Sequence, residues 1–116
     1  MKSLTPSQFS QWLAQEGERQ PGVKPLLLDV REPWEFQTAS IRADDRFDLL
    51  QMPMRSVPAR LGELDQDRPI ACLCHHGGRS AQVVHFLIQQ GFANVVNVDG
   101  GIHAWALECD PSVPTY

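Results

Sequence analysis

Cysteine is scarce in this chain of 116 residues: three in all, an odd number, at Cys72, Cys74 and Cys109. With no secretory leader ahead of them they do not suggest a disulfide framework, and the expectation is reduced thiols in a cytoplasmic protein. The opening Met1-Lys2-Ser3-Leu4-Thr5-Pro6 has no apolar core of the kind a signal peptide carries. No apolar run approaches the roughly 20 residues that cross a bilayer. Basic residues are few as well: ten Lys and Arg against fourteen Asp and Glu leave a net charge of −4. They are scattered, so neither nucleic acid nor an anionic membrane surface is expected as a partner. Internal repeats and low-complexity tracts are missing too. What remains, 42% hydrophobic and 21% charged residues, is ordinary for one globular domain over residues 1–116, with 108–116 as an extended C-terminal tail.

Along the chain, helical and extended patterns alternate. Thr5 caps a helix with Pro6 at its first position and Gln8 completing a capping box; Phe9, Trp12 and Leu13 face inward, and Gly17 ends it. Leu26-Leu27-Leu28-Asp29-Val30 is short and continuously apolar, as in a strand covered on both faces. Arg31 to Phe36 reads as a turn into a brief helix. Phe47 to Met52 reads as a strand stopped by Pro53. Ser56 opens a helix presenting Val57, Leu61 and Leu64. Ile70 to Leu73 is a strand, and the helix after it buries Val84, Leu87 and Ile88 before a cap at Gly91. Asn94 to Val98 is a strand, Asp99-Gly100-Gly101 its turn, and Ile102 to Leu107 a short helix. Alternation with short connections predicts an α/β fold with a mostly parallel sheet. In such sheets a ligand site lies beyond the carboxyl ends of the strands, where Asp29, Cys74 and Asp99 are placed.

The stretch with most chemistry is Cys74-His75-His76-Gly77-Gly78-Arg79, between a strand and a helix. A cysteine there faces backbone N–H groups and the positive end of a helix dipole, which favour its reactive thiolate. An ordinary cysteine, with a pKa of about 8.5, is only a few per cent thiolate at neutral pH. Gly77 and Gly78 permit the backbone angles that turn N–H groups inward, and the Arg79 guanidinium adds positive charge. Cys72 is mid-strand and reads as core. Zinc on Cys72-x-Cys74-His75-His76 is not expected, since no second ligand pair exists. Trp12 and Trp105 read as core, Trp34 as core or rim, and His85 and His103 as surface. Cys109 is either a resolving thiol or, more simply, a bystander.

Four segments in register carry a resemblance: Asp29-Val30-Arg31-Glu32-Pro33, Leu73-Cys74-His75-His76-Gly77-Gly78-Arg79-Ser80-Ala81, Gly91-Phe92-Ala93-Asn94-Val95, and Asp99-Gly100-Gly101-Ile102-His103-Ala104-Trp105. Over residues 26–107 the chain resembles a single-domain rhodanese. The resemblance implies a three-layer α/β/α fold with a mostly parallel central sheet, and a sulfurtransferase without a cofactor or metal. Cys74 is then the nucleophile that takes a sulfane sulfur from thiosulfate or a persulfide, with Arg79 beside it. His75, His76, Gly77, Gly78 and Ser80 would bind substrate, and Asp29, Arg31 and Glu35 would support the loop. The acceptor would be a thiol, cyanide in the test tube, or a protein. One departure stands out: Ala39-Ser40-Ile41-Arg42-Ala43 replaces the family's Gly-His-Ile-Pro-Gly-Ala.

Two alternatives belong to other classes. One is a sulfur-carrier or interaction module with little small-molecule turnover. The other is a phosphatase or arsenate reductase, disfavoured because only four residues separate Cys74 from Arg79, one fewer than in the Cys-x5-Arg loops that cradle a tetrahedral oxyanion. The histidines have two readings, as donors lining the mouth or as loop-surface residues. Arg79 could also be tied to Asp29 or Glu35, and Asp29 reads as an acceptor for loop N–H groups.

Overall fold

The computed structural model describes residues 2–116; Met1, the first residue of the opening read above for a leader, lies outside the described residues. Five strands, β1 (Lys2–Leu4), β2 (Leu26–Asp29), β3 (Asp48–Gln51), β4 (Ile70–Leu73) and β5 (Val95–Val98), form one sheet in the order β1-β5-β4-β2-β3. All four pairings are parallel. Helices α1 (Phe9–Arg19), α2 (Pro33–Thr38), α3 (Gly78–Gln89) and α4 (Gly101–Glu108) connect them.

Every residue of β2, β4 and β5 is buried, as a parallel sheet clothed on both faces requires. Alternation along each strand sorts the side chains. Leu27, Ala71, Leu73, Val96 and Val98 pack with Phe9, Trp12 and Leu13 of α1 and Ile102 and Trp105 of α4. Leu26, Leu28, Ile70, Cys72 and Val95 pack with Val83, Val84 and Leu87 of α3 and with Val57 and Leu64. The layers are therefore α/β/α. Phe9 centres the first cluster, its ring 5.1 Å from Phe47 and 4.9 Å from Trp105.

The connections set where the site lies. From β2 the chain steps outward to β3, and from β4 it steps the other way to β5. The reversal falls between neighbouring β2 and β4, which places a crevice at their carboxyl ends. Asp29 ends β2 and Cys74 follows β4.

Four local details depart from the sequence pattern. Strand β1 pairs with β5 but has three residues, too few for a period to show. Helix α1 continues through Gly17 to Arg19, since one glycine weakens a helix without stopping it. The helix expected from Ser56 is two 3-10 turns, Met54–Ser56 and Leu61–Glu63. Pro58 and Gly62 discourage a continuous helix there. In α3 the inward residues are Ser80, Val83, Val84 and Leu87, while Ile88 is 46% exposed. At 3.6 residues per turn Ile88 lies roughly 90° from the centre of that arc.

The tail folds back instead of extending away. A turn bonds Val113 N–H to Asp110 O at 3.1 Å, Val113 joins the first core cluster, and Tyr116 is delivered to Arg31. The Arg31 guanidinium is fully buried, and each of its five hydrogens has an acceptor. Nε donates to Asp29 Oδ1 (2.9 Å), Nη2 to Asp29 Oδ2 (2.6 Å) and Ala39 O (2.8 Å), and Nη1 to Glu35 O (3.2 Å) and Tyr116 Oη (2.9 Å). Removing one partner of a buried pair strands the other charge. Arg31→Met is therefore expected to lower stability by about 3–5 kcal/mol, with Asp29→Leu in the same chain recovering part of the loss. Urea unfolding of the single and double variants measures both effects.

Candidate active site

At the end of β4 the chain leaves the sheet at Cys74 and turns through His75, His76 and Gly77 into α3. Gly77 has φ +109°, and a Cβ there would lie 3.1 Å from Gly100 N. This conformation aims the Gly77 N–H at Cys74 Sγ, 3.0 Å away. Gly78 has an ordinary φ and open space around it, so the special backbone belongs to Gly77 alone. Cys74 is only 1% exposed.

Ser80, on the first turn of α3, places its hydroxyl 3.3 Å from Sγ, 2.5 Å from Asn97 Oδ1 and 3.2 Å from Gly77 O. One hydroxyl hydrogen serves three acceptors, so rotating it toward sulfur provides a second donor for a thiolate at the expense of Asn97. Asn97 is itself fixed, donating from Nδ2 to Asp99 Oδ1 (3.0 Å) and Gly77 O (3.3 Å). The sequence pattern did not single out Asn97. Its signal is a lone amide inside the buried strand Val95-Val96-Asn97-Val98, where a polar group needs partners.

Arg79 points at α2. Its Nη1 and Nη2 donate to Glu35 Oε1 (2.6 Å) and Oε2 (2.9 Å), a bidentate pair. Glu35 also accepts from Tyr116 Oη (2.6 Å) and Glu32 N–H (3.1 Å). Hydrogen bonding from Arg79 is the largest influence holding its carboxyl down at about 2, with Tyr116 and the Glu32 N–H acting in the same direction. Of the two partners considered for Arg79, the structure selects Glu35. Asp29 accepts the Arg31 N–H (3.2 Å) and the Arg31 side chain, rather than N–H groups of the Cys74 loop.

A second loop braces the first. Ile102 N–H donates to Cys74 O (2.8 Å) and His103 N–H to His75 O (3.1 Å). A Cβ on Gly101 would come within 2.4 Å of both carbonyl oxygens, so that position must be glycine. Above this contact His75 stacks on Tyr116, rings 3.9 Å apart and 5° from parallel. His76 lies 3.9 Å from His75 on the other side of the cluster, and His103 lies 5.0 Å from His76. His103, expected at the surface, is half-buried. Burial first, and then His76, lower the pKa of His75. His85 is exposed, and Trp34 is 61% exposed against the edge of Tyr116.

The remaining thiols lie elsewhere. Complete burial pushes the Cys72 thiol up, with Cys74 adding to the shift. Desolvation followed by the charges of Glu108 and Asp110 raises that of exposed Cys109. The divergent rim stretch is ordered without its family glycines, because Ala39 and Ile41 are buried in the first core cluster and Arg31 holds Ala39 O.

Glu35 makes stability depend on acid. Its folded pKa of about 2 lies below the ordinary 4.5, so its contribution is complete above pH 4.5 and is lost as pH falls toward 2. The linkage corresponds to about 3 kcal/mol at most, reduced by solvent around the partly exposed Arg79. Glu35→Gln is expected to lower stability at pH 7 and to flatten the urea-midpoint profile between pH 5 and pH 2.

The chain is 43% identical over 90 residues to the chloroplastic Rhodanese-like/PpiC domain-containing protein 12 of Arabidopsis thaliana, covering 78% of this chain and 30% of that protein. It is 42% identical over 81 residues to a Sulfurtransferase of Allochromatium vinosum, covering 70% of this chain and 71% of the other. The structure superposes on the crystal structure of a rhodanese-like domain protein from Staphylococcus aureus with a TM-score of 0.74 and 27% identity, over 100% of this chain and 99% of that one. The chain thus spans less than a third of the plant relative and most of the bacterial ones. The rhodanese-like domain profile matches residues 5–108, and the chain belongs to that family.

Proposed function

We propose that the protein is a sulfurtransferase that carries a sulfane sulfur as a persulfide on Cys74. The observation that carries this reading is the pair of donors at Sγ, Gly77 N–H at 3.0 Å and the Ser80 hydroxyl at 3.3 Å. The Cys74 thiolate attacks the outer sulfur of thiosulfate. A Cys74 S–S bond forms, the bond to the sulfonate sulfur breaks with its electron pair, and sulfite leaves. A thiolate or cyanide then attacks the outer persulfide sulfur, takes it as a persulfide or thiocyanate, and returns the Cys74 thiolate. The two half-reactions conserve charge and require no external oxidant, reductant or cofactor, and they predict ping-pong kinetics.

Gly77 and Ser80 stabilise the thiolate before attack and the terminal sulfur after it. Arg79 and Glu35 position the first turn of α3, Arg31 and Asp29 hold the rim beneath them, and Gly78 starts the helix. His75 and His76 line the approach. A persulfide donor and a thiol acceptor suit an entrance walled by imidazole and tyrosine rings. The burial of Cys74 and the match to one part of a longer plant protein favour a protein acceptor as a second route, in which the chain acts chiefly as a carrier. We place the protein in the cytoplasm, as one domain over residues 1–116. Among the described residues no helix is long and apolar enough to cross a membrane.

With thiosulfate and cyanide the protein is expected to form thiocyanate, and Cys74→Ser to form none; equal rates would overturn the proposal. Ser80→Ala is expected to lower kcat/KM roughly ten- to a hundredfold, the scale of a hydrogen bond to a charged group.

A further inference from the structure

Three imidazoles converge beside the Cys74 loop from two separate elements. His75 and His76 come from the loop itself and His103 from the first turn of α4, and one ring nitrogen of each lies within 4.8 Å of the other two. The three rings do not satisfy one another. His75 Nε2 and His103 Nδ1 are both buried without a hydrogen-bond partner among the described residues, a state that proteins avoid because an unpaired buried polar atom is costly. We propose that His75, His76 and His103 form a binding site for one borderline divalent transition-metal ion of the zinc class.

The donor set favours that class. Neutral imidazole suits Zn²⁺, Cu²⁺, Ni²⁺ and Co²⁺, while Mg²⁺ and Ca²⁺ need oxygen ligands that this cluster lacks. Three protein ligands leave a tetrahedral ion one open position. Zinc–nitrogen bonds of about 2.0–2.1 Å hold the donors roughly 3.3 Å apart, so the nitrogens close by at most about 1.5 Å. Exposed His76 has the freedom to make that movement. The other two ligands are held in place by the backbone: the His103 N–H donates to His75 O at 3.1 Å, and Gly101 lets the chains approach. Tyr116, stacked on His75 at 3.9 Å, sets the plane of that ring. Cys74 is outside the donor set, since its sulfur faces Gly77 N–H and Ser80. The site therefore differs from the Cys-His arrangement weighed from sequence, and it stands whether or not Cys74 transfers sulfur.

Titration of tag-free, reduced protein with Zn²⁺ against a chromophoric chelator tests the proposal, with Co²⁺ as a spectroscopic substitute. One equivalent is expected to bind at micromolar protein. Co²⁺ should give visible ligand-field bands without the near-ultraviolet charge-transfer band of a thiolate ligand. His103→Gln, checked for an unchanged circular dichroism spectrum, should weaken binding by at least ~10-fold, the scale on which even outer-shell changes act. His76→Gln, at an exposed position, should do the same. Cys74→Ser should bind as wild type. Absence of stoichiometric binding, wild-type affinity in either histidine variant, or loss of binding in Cys74→Ser would each overturn the site.

Discussion

A fully buried guanidinium is the constraint on which the site's geometry depends. Arg31 lies at the carboxyl end of β2, where the chain reversal opens the crevice, and its hydrogens reach the sheet, α2, the rim stretch and the tail. A buried cation stabilises a fold only when its donors are satisfied, and it penalises alternatives that leave any of them unmet. Each acceptor is thereby confined to one position. Ala39 O must lie near the β2 end, so a segment without the family's Gly-His-Ile-Pro-Gly-Ala still follows one path. Glu35 O must lie there too, which turns the Glu35 carboxylate toward the Cys74 loop.

From Glu35 the constraint passes to α3 through Arg79. The Arg79 guanidinium, read from sequence as positive charge beside the cysteine, makes its hydrogen bonds to the Glu35 carboxylate, at 2.6 and 2.9 Å. Sulfur therefore relies on short-range dipoles, a backbone N–H and a hydroxyl. This division would suit the proposed persulfide carrier, in which the site holds a thiolate, then a terminal sulfur one bond further out, then a thiolate again. Small neutral donors can adjust to both positions, as the Ser80 hydroxyl can by rotating between Asn97 and sulfur. A guanidinium in direct contact would instead favour one anion position over the other.

Much of this was legible in the residues. Short, mostly apolar runs marked the three central strands, since parallel strands are buried on both faces, and the glycine-bearing turn after Cys74 marked the loop. Gly77 and Gly101 have physical reasons to be glycine, a left-handed φ at one and a carbonyl 2.4 Å from any Cβ at the other. What was hidden lay in long-range contact. Nothing local to Tyr116 indicates that it meets residues 85 and 81 positions earlier. Asn97 differs from its strand neighbours by one amide, and its partner Ser80 belongs to another element. Ile88 fits a helical stripe on paper and misses the core because that stripe is narrow. Pro58 and Gly62 were visible, yet their effect on the expected helix depended on Val57 and Leu64 reaching the core without it.

The entrance follows from the same logic of distant partners. Tyr116 has two functions: its hydroxyl closes the Arg31–Glu35 network, and its ring covers one face of His75. Accepting from Arg31 and donating to Glu35, the hydroxyl is consistent only while the phenol stays protonated, and burial followed by the Glu35 bond raises its pKa to about 12. The contact is thus intact throughout the neutral range, and the wall it builds is persistent. The opposite wall is His103, held by backbone to His75. Between them His76 is the one ring of the cluster that is exposed, so movement at the mouth is concentrated in a single side chain. The rings beside the Cys74 loop are thus two that are packed, His75 against Tyr116 and half-buried His103, and one, His76, that is open to solvent.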